Sequence, residues 1–282
     1  MTPDQPFAGR TALVTGATGG IGLEIARALA AGGARVILPA RNRQKGERVA
    51  AELPGSTVAD LDLARLDSVR AFAASLDEPI HLCVLNAGIV LLGDRTRHVT
   101  ADGYELHWQT NLLGQTALVR GVLPLLRAGH ARIAVQCSIA AAVGRLHWDD
   151  LQRERHYGPF RAYAQSKLAL GVFGLELGRR EPDLHVALCH PGVAPATAIA
   201  APIRALLPDR VVDAVVQSFG NPPQRAAESA LMAMGVDAAA GGFYGPKGLA
   251  QLSGHPRRLR LYHRLRDADA ARRIWATIEQ EL

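Results

Sequence analysis

Short apolar runs alternate with longer segments whose apolar positions recur at helical spacing, from Thr11 through most of the chain. The runs at 11–15, 35–40, 56–60, 80–86, 131–138 and 185–190 read as strands, with a last one near 242–245. The segments at 20–31, 43–53, 66–76, 101–127, 160–180 and 223–234 read as helices. The strand runs are rich in Val, Ile, Leu and Ala without strict alternation, the pattern of strands buried on both faces of a parallel sheet. This order predicts an α/β fold, a Rossmann-like doubly wound parallel sheet of about seven strands with helices on both faces. The 282 residues suit a single domain, and no repeat or low-complexity linker divides them.

Two segments break the rhythm. Residues 140–159 separate a strand from a helix and are rich in His, Trp, Arg and Asp, while 191–222 mixes apolar residues with prolines. Ligands of open α/β sheets lie beyond the carboxyl ends of the strands, where both segments emerge. They are the expected walls of a substrate pocket, with Ile139, His147, Trp148, Tyr157 and Phe160 as candidate lining residues. Local packing is the other reading of these aromatics. A tail spans 246–282.

The formal net charge is +6, and the arginine excess is concentrated in that tail, from Arg257 to Arg273. Attraction to anionic ligands is one reading, and a solvated basic helix is the simpler one. Without a basic stripe interleaved with aromatics, no nucleic-acid partner is expected. Cys83, Cys137 and Cys189 each sit in an apolar run, as reduced thiols of a cytoplasmic protein do, and none has the spacing of a metal site. The first ten residues lack a signal-peptide pattern, and no apolar run reaches ~18 residues, so no membrane anchor is expected.

Chemistry is carried by two motifs. Thr15-Gly16-Ala17-Thr18-Gly19-Gly20-Ile21-Gly22 joins the first strand to the first helix, where glycines let the backbone approach a pyrophosphate at the helix N-terminus. Tyr163 and Lys167 stand four apart on one helix face, in a chain with only three lysines. A phenol beside an ammonium is a proton donor whose pKa is expected to be lowered. Tyr157 and Arg161 repeat that spacing, but a guanidinium does not offer the compact charge of an ammonium.

Together these motifs resemble the classical short-chain dehydrogenase/reductase family. Further positions match it in order: Asp62 after the third strand, Asn86-Ala87-Gly88 after the fourth, Asn111 in the long helix, Ser138 ending the fifth strand and Pro191-Gly192 after the sixth. The resemblance implies a catalytic set of Asn111, Ser138, Tyr163 and Lys167. It implies a nicotinamide dinucleotide held by Gly16, Thr18, Gly20, Ile21, Gly22, Arg41, Asp62, Leu63, Asn86, Ala87, Gly88, Tyr163, Lys167, Pro191, Gly192, Val193 and Thr197. The family's threonine falls one place earlier, at Ala196, so Thr197 serves only if the loop shifts by a residue. Dimerisation through helices 101–127 and 160–180 is also implied, although the 140–159 segment leaves a monomer open.

An NAD site needs an acid at the end of the second strand, where this chain has Ala40 and Arg41, with Arg43 and Lys45 close by. Cations there suit a 2′-phosphate, so NADP(H) is the expected cofactor. The 25 positions from Ser138 to Tyr163, a longer gap than most members have, look like the retinol dehydrogenase-like branch. So do Trp148-Asp149-Asp150-Leu151 and Ala271-Arg272-Arg273-Ile274-Trp275. That branch implies a bulky, lipophilic carbonyl or alcohol substrate. An enoyl reductase would space tyrosine and lysine more widely, and an epimerase would carry a different glycine turn. A non-catalytic NADP(H)-sensing regulator is the alternative from another class, and such proteins generally lose the tyrosine or the lysine.

Overall fold

The computed structural model describes residues 5–193 and 220–282. Eight strands form one sheet: β1 (Thr11–Val14), β2 (Arg35–Ala40), β3 (Thr57–Asp60), β4 (Leu82–Leu85), β5 (Arg132–Gln136), β6 (His185–Cys189), β7 (Phe243–Pro246) and β8 (Pro256–Leu259). Their order across the sheet is β3-β2-β1-β4-β5-β6-β7-β8, and the first seven run parallel. The doubly wound α/β expectation holds, with one strand more than the seven anticipated. β8 was missed because Pro256-Arg257-Arg258-Leu259 is an edge strand with two exposed arginines and no apolar run. It pairs antiparallel with β7, and its charged, proline-led edge discourages further strand addition.

Helices α1 (Gly20–Ala31), α2 (Arg43–Glu52) and α3 (Leu66–Ala74) follow the first three strands. β1 and β4 are buried along their whole length, and separate apolar cores lie on the two faces of the sheet. One core gathers Ile25 and Leu29 of α1 with Ala230 and Met234 of a later helix (Pro223–Met234). The other gathers Val69 and Phe72 of α3 with Leu112, Leu118, Phe173 and Ile274.

The helix expected over 101–127 is not continuous. It begins at Leu106, where Glu105 caps the Trp108 N–H at 2.8 Å, and runs as α4 (Leu106–Trp108), a π turn (Gln109–Leu113), α5 (Gly114–Gly121) and α6 (Leu123–Ala128). Pro124 has no N–H to continue α5, and the π turn carries Asn111. The long helix α7 (Pro159–Arg180) follows the 140–159 segment.

The basic tail is not merely a solvated helix. With Pro223–Met234 as α8, its last element is α9 (Ala268–Glu281), which lies along α7 with Ile274 and Ile278 buried. Trp275 stacks on Phe173 with ring centroids 5.5 Å apart, and the Arg180 guanidinium covers the Trp275 ring at 4.5 Å. Glu281 accepts from Trp108 Nε1–H at 3.3 Å, and its carbonyl accepts from the Tyr104 hydroxyl. The chain's own C-terminal helix thus packs along α7, one of the two helices implied for dimerisation. Among the described residues, no helix is long and apolar enough to cross a membrane.

Replacing Ile274 by Ala should destabilise the protein by about 2–4 kcal/mol, the usual cost of a buried large-to-small change. Denaturant unfolding would measure it, and a change below about 0.5 kcal/mol, typical of a surface site, would show that α9 is not part of the core.

Candidate active site

Strand order reverses between β1 and β4, and a cleft of about 450 Å³ opens there at their carboxyl ends. The glycine turn forms one wall. Gly22 sits so close to the turn that a Cβ there would collide with the Gly16 carbonyl oxygen. Gly20 has φ +55 and open space where a Cβ would point. Gly19 caps α1 without any side-chain acceptor, leaving the first-turn N–H groups for a ligand. A pyrophosphate at that N-terminus is what such a cradle fits.

Opposite, Asn86, Ala87 and Gly88 line the cleft. Asn86 donates to the Thr15 carbonyl at 2.8 Å and accepts from Gln136 Nε2 at 2.6 Å. Arg41, Asn42 and Lys45 line the end beside β2. Asn42 caps α2 by accepting from the Lys45 N–H, and the Lys45 ammonium lies 3.3 Å from where a Gly19 Cβ would sit. Arg43 is instead paired with Glu47 and Asp60. Asp62 and Leu63 line the floor, and Asp62 Oδ1 accepts from the Ala64 N–H at 3.0 Å.

Ser138, Tyr163 and Lys167 meet on the far wall, each less than a tenth exposed. Ser138 follows β5, and its hydroxyl accepts from the Ala140 N–H at 3.2 Å. The sequence places Tyr163 and Lys167 on one face of α7, and the fold turns that face toward β5. Burial raises the Tyr163 phenol pKa, and the neighbouring Ser138 hydroxyl opposes that rise. The lowered phenol pKa expected from the tyrosine–lysine spacing is therefore not found. The Lys167 ammonium donates to the Gln136 carbonyl at 3.0 Å, and burial holds its pKa at about 8. Asn111 Oδ1 and Lys167 Nζ both lie 3.0 Å from where a Gly88 Cβ would sit. Asn111 also brackets Ile89, accepting from its N–H at 2.7 Å and donating to its carbonyl at 3.0 Å.

A family model, short chain dehydrogenase, matches residues 10–206. The chain belongs to the short-chain dehydrogenase family. Polyprenol dehydrogenase of Mus musculus is 41% identical over 193 residues, which cover 64% of this chain and 56% of that protein. Retinol dehydrogenase 11 of Homo sapiens is 40% identical over 182 residues, covering 61% of this chain and 56% of that protein. The matches thus span little more than half the length of these curated relatives. Among solved structures, an uncharacterized protein from Mycobacterium Paratuberculosis superimposes with a TM-score of 0.82 at 32% identity, covering 99% of this chain and 95% of that one. A Pseudomonas aeruginosa RhlG/NADP active-site complex gives 0.65 at 26% identity, over 84% of this chain and 94% of the other.

Of the residues that the resemblance to the short-chain dehydrogenases singled out, Gly16, Thr18, Ile21, Gly22, Arg41, Asp62, Leu63, Asn86, Ala87, Gly88, Ser138, Tyr163, Lys167, Pro191 and Gly192 line the cleft together. Gly20, Asn111 and Val193 are not part of that lining, Gly20 being exposed and Asn111 buried, and Thr197 lies outside the described residues. The structure does not bring Ile139, His147, Trp148, Tyr157 or Phe160 to the lining of this cleft. Trp148 packs beneath the Arg273 guanidinium of α9, 3.8 Å from its ring centroid, and Phe160 is 47% exposed. The aromatic content of 140–159 suggested a pocket, but part of it serves to dock the C-terminal helix.

Sequence reasoning missed several residues that hold the short-chain dehydrogenase cleft in shape. Gln115 donates to the Ala87 carbonyl at 2.8 Å. Asn221 donates to the Pro191 carbonyl, and the Val193 carbonyl accepts from the Asn221 N–H. His190 accepts from the Gly192 N–H at 3.2 Å, and burial lowers its pKa to about 4, so it stays neutral. Gln115 and Asn221 reach partners 28 and 30 positions away, so no local spacing announced them.

Lys167 makes a testable contribution to stability. The unfolded chain holds this proton up to pH 10.5 and the folded chain only to about 8, so its contribution rises with pH between those values. Three buried thiols whose pKa burial raises act in the opposite sense in alkali. The stability difference between wild type and Lys167→Met, measured by urea unfolding without ligand, should therefore move in favour of wild type from pH 8 to 10.5. A difference that stays flat over that window would contradict the buried, ligand-free ammonium.

Proposed function

We propose that the chain is an NADP(H)-dependent oxidoreductase that interconverts a carbonyl and an alcohol on a bulky, lipophilic substrate. The observation that carries this reading is the meeting of Ser138, Tyr163 and Lys167 on the wall of the cleft that the glycine turn opens. Bound in that cleft, NADP(H) supplies or accepts the hydride.

In the reductive direction, Tyr163 donates its phenolic proton to the substrate oxygen. The raised pKa keeps the phenol protonated at neutral pH until charge develops on that oxygen. Ser138 donates a hydrogen bond to the same oxygen and holds it near the phenol. Lys167 would offset the charge of the phenolate left behind and would be one of the groups to hold the ribose of a bound cofactor. Asn111 anchors Ile89 and faces Lys167 across Gly88, where proton return to the lysine would pass. A buried site keeps competing water away from the transfer.

Arg41 and Lys45 support NADP(H) because no carboxylate follows β2 to accept from a ribose hydroxyl, and both line that end of the cleft. The names of the matched polyprenol and retinol dehydrogenases support a lipophilic substrate. The packing of α9 along α7 supports a monomer.

Tyr163→Phe should lower turnover with a panel of lipophilic aldehydes and ketones by at least about a hundredfold, the lower end of general acid catalysis, while leaving NADPH affinity within about threefold. Near-normal turnover would sink the assignment, and a wild type that binds NADPH but reduces no carbonyl would favour the sensor reading. Arg41→Ala and Lys45→Ala should each weaken NADPH by about tenfold, ~1.4 kcal/mol, and NADH much less. Equal losses for both cofactors in a fluorescence titration would count against the 2′-phosphate assignment.

A further inference from the structure

Two titratable side chains lie behind the cleft with no part in the reaction proposed above. Glu105 is 1% and His107 0% exposed, just ahead of the π turn that carries Asn111. His107 Nε2 lies 3.2 Å from the Leu91 N–H, which can only donate, so Nε2 is the unprotonated acceptor. The ring proton is therefore on Nδ1, where it is donated to Glu105 Oε1 at 2.7 Å. Glu105 Oε2 accepts from the Trp108 N–H at 2.8 Å, and the Glu105 N–H donates to Gln152 Oε1 at 2.8 Å. Both carboxylate oxygens are thus engaged, and the imidazole has a single tautomer.

These bonds end on a turn that faces the reaction. Asn111 holds Ile89 from both sides, and His107 holds Leu91. Val90, between them, lines the cleft and packs on Ala140, Tyr163 and Ala164. The His107 ring also stands edge-on to the Tyr163 ring, centroids 6.4 Å apart and planes at 68°. An apolar residue at 107 would fill the same volume but leave the Leu91 N–H without its acceptor. Burying a carboxylate and an imidazole costs desolvation, so what the pair contributes is geometry.

We infer that Glu105 and His107 are positioning residues: Glu105 selects the His107 tautomer, and His107 holds Leu91 so that Val90 stays against the Tyr163 ring. The pair sets the orientation of the phenol and the width of the wall beside it. This rests on Tyr163 being the proton donor.

Glu105→Gln tests the tautomer argument with an isosteric side chain. Its oxygen can still cap Trp108, but its amide then donates to Nδ1, which moves the ring proton to Nε2 and sets it against the Leu91 N–H. The expected result is a fall in kcat of about tenfold to a hundredfold, from misplacement of the reacting groups. NADPH affinity should be unchanged within about twofold, with a larger deuterium isotope effect from labelled NADPH and a shift in preference toward bulkier carbonyls. Val90→Ala should reproduce that shift in preference without touching the pair. A folded Glu105→Gln variant with unchanged kcat, isotope effect and preference overturns the inference, even if its melting temperature falls.

Two measurements do not depend on activity. Nitrogen NMR of the wild type should show His107 Nε2 unprotonated, and the Leu91 amide should exchange at least about tenfold faster in Glu105→Gln once its hydrogen bond is lost. A protonated Nε2 in the wild type, or equal exchange in the two proteins, overturns the inference whether or not the enzyme turns over. An active Tyr163→Phe variant would instead remove the proton-donor reading.

Discussion

The fully buried hydroxyl of Thr15 accepts from the N–H groups of Asn86 and Ala87, each at 3.0 Å, and donates to the Val84 carbonyl at 3.2 Å. These bonds tie the end of β1 to the end of β4 at the point where the strand order turns back. On one side of that tie the glycine turn is presented, and on the other the Asn86–Gly88 turn that abuts Lys167. Moving either end would separate the phosphate cradle from the tyrosine–lysine wall. Thr15 and Gln115 are fully buried, so their polar groups must be satisfied within the protein, which fixes how the two strand ends meet.

The same dryness governs the electrostatics. Burial raises the Tyr163 phenol and lowers Lys167 to about 8, so each group sits nearer its neutral form than in water. The two are not simply an acid made stronger by an adjacent cation, as their spacing alone suggested. The Lys167 ammonium is directed to the Gln136 carbonyl, and the Ser138 hydroxyl is the group that most favours the phenolate. A bound cofactor, and the charge that the proposed reaction would develop, would therefore act on a preorganised site of low polarity, where each added interaction counts for more.

Away from the cleft, the C-terminal arginines show how one composition can serve two purposes. Arg273 and Trp148 join the tail to the 140–159 segment, while Arg257 and Arg258 keep the β8 edge charged. The aromatic residues that pointed toward a substrate pocket are in part the seat of α9. Both uses follow from amphipathic side chains, which bury an apolar body while leaving a polar end in contact with water or a charge.

Local pattern by itself determined the seven parallel strands, the ends of α1, β2 and α8, and the two motifs of the cleft. Each of these rests on interactions within a few residues: a glycine's backbone freedom, an apolar run long enough for one strand, a one-turn spacing on a helix. The tertiary structure alone decided the rest. β8 forms only because β7 offers an open edge, the long helix widens to a π turn where Asn111 reaches Ile89, and α9 folds onto α7 rather than into solvent. The direction of the Tyr163 shift and the Glu105–His107–Leu91 chain belong to this second group. They depend on desolvation and on partners far apart in sequence, quantities that exist only once the chain has closed around them.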